Sequence, residues 1–167
     1  MYKRQELSPD DRINIVNFAI EILVNQTIKT LSSAGINFDK ISYETNIMEK
    51  GYLPLILQKL NQSDLTYKGQ LNAPKDYTGT QKDNDLTIFK STLFDDDEDR
   101  ALTKNDGSPT YFANDIAYHE DKYQRGYNKL INIWGADHLG YLKRLSSAIT
   151  SLHPEICLLY TSPSPRD

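Results

Sequence analysis

The sequence predicts an α/β fold in which helices alternate with strands of a parallel sheet. Three observations in the stretch 106–145 support this fold class. An amphipathic pattern indicates a helix from Tyr111, a short apolar run from Leu130 to Trp134 indicates a buried interior strand, and a glycine turn then leads to a second helix. This order is typical of one half of a parallel α/β sheet.

The helix after Thr110, its predicted N-cap, presents two rows of side chains. The row predicted to be buried contains Phe112, Ile116, His119 and Tyr123. A second row at the same spacing contains Tyr111, Asp115, Tyr118 and Lys122. The second row places a phenol and a carboxylate one turn apart near the helix N-terminus, and Gly126 suits the helix end.

The first third of the chain predicts a long helix that packs through one face. Ser8 is a suitable N-cap, Pro9 suits the first helical position, and apolar residues keep a helical period up to Gly35. The alternation from Asn37 to Glu44 predicts a strand.

The middle of the chain has weaker signals. The second half of the run from Ile47 to Leu60 has a helical face, with Pro54 in its first turn. The segment from Leu65 to Leu71 predicts a small hairpin, and the polar stretch from Asn72 to Asp85 predicts a surface loop.

The acidic run from Asp95 to Asp99 has two interpretations. Clustered carboxylates are the ligands that hard cations prefer. We favour a solvated loop beside Arg100, because consecutive residues in a run do not aim their oxygens at one point.

The composition excludes several classes of protein. The chain has 167 residues, a net charge of −4 and a single cysteine, which argues against a disulfide framework and a cysteine-rich zinc site. No run approaches the roughly 18 apolar residues of a membrane span, and no signal peptide is visible. Three scattered histidines make no metal signature, and we expect His119 and His153 to be structural or exposed. A cytoplasmic location is expected.

Several ordered blocks resemble one family. TYFANDIAYH, the strand that follows and WGADH-x-GY are similar to the catalytic core of arginyl-tRNA synthetases, which are class I aminoacyl-tRNA synthetases. The upstream run from Ile88 to Phe112 continues the match, although Asp95 stands where the family more usually has glycine. The resemblance covers nearly all of 12–152 and implies part of a Rossmann-like catalytic domain, which is incomplete here.

The resemblance implies roles for five residues. Tyr111 and Asp115 match the tyrosine and acid that face the guanidinium of the substrate arginine in the family. Gly135, Asp137 and His138 match the turn beside the adenosine of ATP, where Asp137 contacts either the ribose or the amino acid. The alternatives are a core aromatic for Tyr111, an exposed helix acid for Asp115 and a structural histidine at a helix start for His138. No residue is expected to act as a catalytic nucleophile or to bind a metal.

The family resemblance also implies a reaction and its partners. The parent enzyme is expected to join L-arginine to tRNA(Arg) through arginyl-adenylate, with ATP as substrate, Mg²⁺ as cofactor and a monomeric state. Class I enzymes use two further motifs, of the HIGH and KMSKS types, and neither is present in this sequence. We therefore expect this chain alone to be inactive.

Two other functions stay open at this point. One is a different ATP-using enzyme of the class I synthetase type, since GADH-like turns recur there. The other is a non-catalytic binding protein that retains a synthetase-like core.

The two ends of the sequence resemble a translated sequencing adapter. The residues from Cys157 to Asp167 match the translation of one strand of a widely used transposase adapter. The residues from Met1 to Gln5 match the translation of the opposite strand. We therefore predict three parts: adapter-derived residues 1–5, a partial catalytic core at 6–156 and an adapter-derived tail at 157–167. The tail is expected to carry no core.

Overall fold

The computed structural model describes residues 8–71, 85–135 and 138–161, in two compact units, Met1–Ile41 and Ser42–Asp167. The described helices are α1 (Pro9–Ser33), α2 (Glu44–Glu49), α3 (Tyr52–Gln62), α4 (Tyr111–Gln124) and α5 (Leu139–Leu152), with a 3₁₀ helix at Ser91–Phe94. The strands are β1 (Thr66–Gly69), β2 (Leu86–Phe89), β3 (Arg100–Ala101), β4 (Lys129–Ile133) and β5 (Cys157–Thr161). Among these helices, none combines the length and apolarity needed to cross a lipid bilayer.

The first unit contains the long helix α1. Its start is as predicted: the side chain of Ser8 accepts a hydrogen bond from the backbone N–H of Asp11 at 3.1 Å, and Pro9 occupies the first turn. The prediction of a buried face is wrong in this structure, since α1 has no buried residue and Phe18 is 66% exposed. The helical period was correct, but a period alone does not supply the surface that would cover it.

The predicted strand from Asn37 to Glu44 is not formed, and the second unit begins with two short helices. No strand occurs in 37–43, and α2 begins at Glu44. Three loosely spaced apolar residues were too weak a pattern to identify a strand. Helix α3 is as predicted, with Pro54 in its first turn and Gly51 before it in a left-handed conformation (φ 71°).

A small antiparallel sheet has the order β1-β2-β3. Thr66 pairs with Phe89 and Gly69 with Leu86, so the partner of β1 follows the polar loop. The prediction of a hairpin within Leu65 to Leu71 is therefore wrong, because the chain returns only after a longer connection. Residues 72–84 of that loop lie outside the described ranges.

Strands β4 and β5 pair in parallel, with α5 as the connection between them, which agrees with the predicted parallel sheet although no strand was predicted at β5. All five residues pair in register, from Lys129 with Cys157 to Ile133 with Thr161. The prediction that β4 is an interior strand is wrong in the described chain, where β5 is its one partner. Its side chains accordingly alternate between buried and exposed, and Ile133 is 77% exposed.

The strand β5 also corrects the prediction that the tail carries no core. Leu158 is partly buried and packs against the core. The run CLLYT is apolar and suits a strand whatever its origin, so this finding does not bear on the adapter origin, which stays a prediction.

The core of the second unit lies among α3, α4, α5 and the antiparallel sheet. Its fully buried side chains include Ile56, Leu60, Phe89, Leu102, Ile116, Leu145 and Ile149. Phe89 stacks on Phe94 with ring centroids 5.7 Å apart and lies 6.0 Å from Phe112. Helix α4 contacts α2, α3 and α5, so its position is determined from three sides.

Ion pairs help to fix the orientation of α4. The side chain of Asp121 is fully buried, and its two oxygens lie 2.5 Å from Nζ of Lys50 and 3.1 Å from Nε of Arg125. Because a buried carboxylate needs such partners, these contacts fix how α4 lies against the end of α2.

Candidate functional site

Helix α4 places two of the predicted site residues on one face. The hydroxyl of Thr110 accepts from the N–H of Ala113 at 3.3 Å and donates to the carbonyl of Ala101 at 2.9 Å. These bonds fix the first turn of the helix relative to β3. Tyr111 and Asp115 then lie one turn apart, as the sequence predicts.

A cavity of about 250 Å³ opens beside this face. Its lining residues come from the segment that enters α2, from α2 and from α4: Ser42, Glu44, Ile47, Met48, Tyr111, Asn114, Asp115 and Tyr118. Two carboxylates and two phenols therefore surround one space. This composition suits a cation that carries several N–H donors.

The surroundings of Tyr111 and Asp115 differ from those of a core aromatic and a free surface acid, while their roles in binding stay a prediction. Tyr111 is 82% exposed, which excludes a core aromatic, and its ring lies 5.8 Å from Nζ of Lys104. Asp115 is half-buried and hydrogen-bonded, so it is not a free acid on the helix surface.

The hydrogen bond to Asp115 comes from α5. The hydroxyl of Tyr141 donates to Oδ2 of Asp115 at 2.5 Å. The Tyr141 ring packs edge-on against Phe112 at 6.2 Å and lies 5.6 Å from Trp134. Burial and the Asp115 carboxylate both raise the pKa of Tyr141 well above its ordinary value, so the phenol keeps its proton and donates.

A second contact holds the backbone behind Asp115. Nδ1 of His119 donates to the carbonyl of Asp115 at 2.8 Å, and Nε2 accepts from the side-chain amide of Asn132 at 2.9 Å. Burial and the neighbouring Lys122 lower the pKa of His119, which is consistent with a neutral ring in this tautomer. His119 is therefore structural, as expected, and links α4 to β4.

The cavity contains residues that the sequence analysis missed. The side-chain amide of Asn114 donates to Oε1 of Glu44, which lies 70 positions earlier in the chain. Oδ1 of Asn114 is buried and has no hydrogen-bond partner within the described residues. Asn114 lies three residues after Tyr111 and could have been found from that helical spacing, whereas Tyr118 belongs to the row that the sequence predicted. No sequence signal connects Glu44 to this site.

The glycine turn follows β4 at the start of α5. The N–H of His138 donates to the carbonyl of Gly135 at 3.1 Å, and the His138 ring lies 6.1 Å from that of Trp134. Asp137, the third predicted residue of this turn, lies outside the described ranges. Trp134 contacts Tyr141, which contacts Asp115, so packed side chains connect the turn to the cavity.

The acidic run forms ion pairs rather than a ligand cluster. Asp96 accepts from Nε of Arg100 at 2.9 Å and lies 3.6 Å from Nε of Arg144, while Asp99 accepts from the hydroxyl of Thr92 at 2.7 Å. Burial opposes ionisation of Asp96, but the hydrogen bonds from Arg100 and Asp97 and the charge of Arg100 together lower its pKa. The loop is thus less solvated than we expected. In the described parts of the chain, no three carboxylate, histidine or thiol groups converge on one point.

Comparison with known proteins gives a consistent result. No protein-family model matches the chain. The chain is 42% identical over 136 residues to an arginine–tRNA ligase of Cereibacter sphaeroides, and 40% identical over 154 residues to one of Pelagibacter ubique. These matches cover 81% and 90% of this chain. They cover 23% and 26% of the two ligases, so the chain spans about a quarter of the length of these relatives.

Solved structures agree with the sequence relatives. An arginyl-tRNA synthetase from Campylobacter jejuni matches 96% of this chain and 33% of its own, with a TM-score of 0.73 and 26% identity. One from Plasmodium falciparum matches 97% of this chain and 27% of its own, with a TM-score of 0.68 and 18% identity, which supports the fold alone. The α/β fold class is therefore confirmed.

Proposed function

This chain belongs to the arginyl-tRNA synthetase family and spans about a quarter of the length of the two ligases named above, and we propose that its cavity at α4 receives the guanidinium of L-arginine. The observation that carries the proposal is the position of Asp115 in a cavity that also contains Glu44 and an exposed phenol, Tyr111. A planar guanidinium has five N–H donors and matches a carboxylate through two parallel hydrogen bonds. Asp115 accepts those bonds, and Tyr111 packs against or accepts from the same group.

The reaction of the whole enzyme has two steps. The carboxylate of L-arginine attacks the α-phosphorus of ATP, forming arginyl-adenylate and releasing pyrophosphate. A terminal hydroxyl of tRNA(Arg) then attacks the arginyl carbonyl, forming arginyl-tRNA and releasing AMP. Neither step needs a protein nucleophile, so the protein acts by positioning and by electrostatic stabilisation.

The role of this chain in those steps is recognition. Asp115 and Tyr111 hold the side chain of arginine, so its carboxylate can be placed toward the nucleotide. Gly135 and His138 border the adenosine, where a glycine lets the backbone approach a nucleotide closely. Whether Asp137 contacts the ribose or arginine stays open. We expect Mg²⁺ to accompany ATP as a counter-ion, and we assign no step to it. The phosphate-stabilising motifs of the HIGH and KMSKS types are not in this sequence.

The proposed family role also predicts the setting of the enzyme. An enzyme that charges tRNA for translation acts in the cytoplasm, and we expect it to be a monomer. The relatives are named arginine–tRNA ligases, which supports arginine as the substrate rather than the substrate of another class I synthetase.

The test is arginine-dependent exchange between ATP and pyrophosphate by the full-length enzyme that carries this segment, with tRNA(Arg) present. Asp115→Ala is expected to raise the KM for arginine at least about tenfold, because it removes a charge-assisted contact. The KM for ATP should change little. Asp10→Ala, an exposed acid of α1, is the control. An unchanged KM for arginine in Asp115→Ala would refute the assignment of Asp115 to arginine binding.

A further inference from the structure

A hydrogen bond joins α5 to α4 at the carboxylate of Asp115. Oδ2 accepts from the hydroxyl of Tyr141, and Asp115 lines the cavity. An aspartate with one bonded oxygen has a defined carboxylate plane, whereas an unrestrained aspartate samples several orientations. A carboxylate has about four acceptor positions, so one that is bonded at Oδ2 can still accept hydrogen bonds from a ligand.

Tyr141 is itself well fixed. Its ring is packed by Phe112 and Trp134, and the guanidinium of Arg144 lies 5.6 Å from its centroid. A ring held by neighbours from α4, the end of β4 and α5 has little freedom to follow a moving carboxylate. The hydroxyl is therefore a fixed reference point for Asp115.

We propose that Tyr141 is a positioning residue for substrate selection: it sets the plane of the Asp115 carboxylate so that it matches a planar guanidinium in preference to an ammonium group. This inference rests on the proposed function. A guanidinium fork needs the carboxylate in one plane, whereas an ammonium is a point charge that any orientation satisfies. Tyr141 therefore contributes to the choice of arginine over lysine without contacting either substrate.

The test compares Tyr141→Phe with Asp115→Asn in the full-length enzyme. The phenylalanine keeps the ring against Phe112 and Trp134 and removes only the hydroxyl. The assay measures the KM for arginine, the KM for ATP, and inhibition of arginine-dependent exchange by L-lysine. Tyr127→Phe is the matched control, since Tyr127 is exposed and contacts Arg125 instead of the cavity.

Tyr141→Phe should raise the KM for arginine about tenfold and leave the KM for ATP unchanged, since one hydrogen bond to a charged group is lost. Inhibition by lysine should weaken much less, so the preference for arginine falls. Tyr127→Phe should behave like wild type. A spectroscopic readout accompanies the kinetics: in Asp115→Asn, the NMR signal of the Tyr141 phenol should titrate at lower pH than in wild type.

Two results would overturn the inference while the proposed function stands. One is a Tyr141→Phe enzyme with the wild-type KM for arginine beside an Asp115→Asn enzyme that has lost arginine binding. The other is an equal loss for arginine, lysine and ATP together with a lower Tm, which would make Tyr141 an ordinary packing residue. If Asp115→Asn also leaves the KM for arginine unchanged, the proposed function fails, and the inference fails with it.

Discussion

Nε2 of His153 lies 2.5 Å from Oε2 of Glu120, and both side chains are buried. His153 follows the last residue of α5, and Glu120 belongs to α4. Tyr123 stacks on the His153 ring at 3.7 Å, and Nζ of Lys59 in α3 lies 3.6 Å from the other oxygen of Glu120. Three helices thus meet at one carboxylate, whose ionised form their hydrogen bonds and charges favour.

Acid should weaken this junction. Burial opposes ionisation of Glu120, but hydrogen bonds from His153 and Gln124 outweigh it and lower the pKa below 4.5. A lowered folded-state pKa gives a stabilisation that is complete above pH 4.5 and is lost as the pH falls below it. We expect Glu120→Gln to lower the free energy of unfolding at pH 7 by about 1.5–3 kcal/mol and to flatten the loss of stability in acid. Urea unfolding at several pH values measures both effects.

Glu49→Gln, at an exposed acid of α2, is the control for Glu120→Gln. The control should keep the wild-type dependence of stability on pH. If Glu120→Gln keeps that dependence as well, the acid sensitivity comes from other carboxylates.

Replacing Asp95 by glycine should stabilise the folded protein. It ends the 3₁₀ helix with φ of 64°, in the left-handed region, where a side chain is strained and glycine is not. We expect Asp95→Gly to raise the free energy of unfolding by up to about 1 kcal/mol and Asp95→Val to lower it by about 1–2 kcal/mol. Thermal melting of the two variants checks the sign.

The opposite change at Gly107 is the reciprocal control for Asp95. Gly107 has φ of 81°, and an added Cβ would meet no atom within 4 Å, so Gly107→Ala tests backbone conformation alone. It should be destabilising by about 1 kcal/mol. A more stable Gly107→Ala would contradict the conformational argument for both positions.

Glu44 should contribute to arginine binding. It lines the cavity opposite α4 and is hydrogen-bonded by Asn114, so it presents a second negative charge to a cationic ligand. We expect Glu44→Gln to raise the KM for arginine about three- to tenfold, less than Asp115→Ala, because its volume and hydrogen-bond capacity are kept. Steady-state exchange kinetics provide the measurement. An unchanged KM would place Glu44 outside the binding site.

Truncating Ile116 in α4 should strongly destabilise the fold. It is fully buried in the core beneath the site-bearing face. Ile116→Ala is expected to cost about 2–5 kcal/mol, from lost transfer free energy and a residual cavity. Ile131→Ala is the control, because Ile131 is 58% exposed and should cost under about 1 kcal/mol. Equal losses in urea unfolding would show that α4 is not central to the core.

Local signals predicted the elements that carry the site. The cap at Thr110, the period of α4, the left-handed Gly126 and the strand that follows are all encoded by neighbours in sequence. The same signals placed Tyr111 and Asp115 on one helix face. Because that face depends only on helical geometry, the prediction did not require knowledge of the rest of the fold.

The sequence patterns did not predict the contacts between residues that are distant in the chain. The pairing of β1 with β2, the approach of Glu44 to Asn114 and the bond from Tyr141 to Asp115 each join residues that are distant in the chain. No periodicity reports such contacts, since they depend on how whole elements pack. The same limit explains why the helical pattern of α1 was recognised and its expected burial was not found.

The one-sided pairing of β4 has a practical consequence for handling the protein. Within the described ranges, one edge of β4 has no partner strand and its isoleucines are exposed, and such an edge is a template for further strands. In a concentrated preparation of this chain, copies should associate edge to edge through Lys129–Ile133 and precipitate. Adding a peptide that pairs with this edge of β4, or the substitution Ile133→Lys, should therefore increase the amount of the chain that stays in solution.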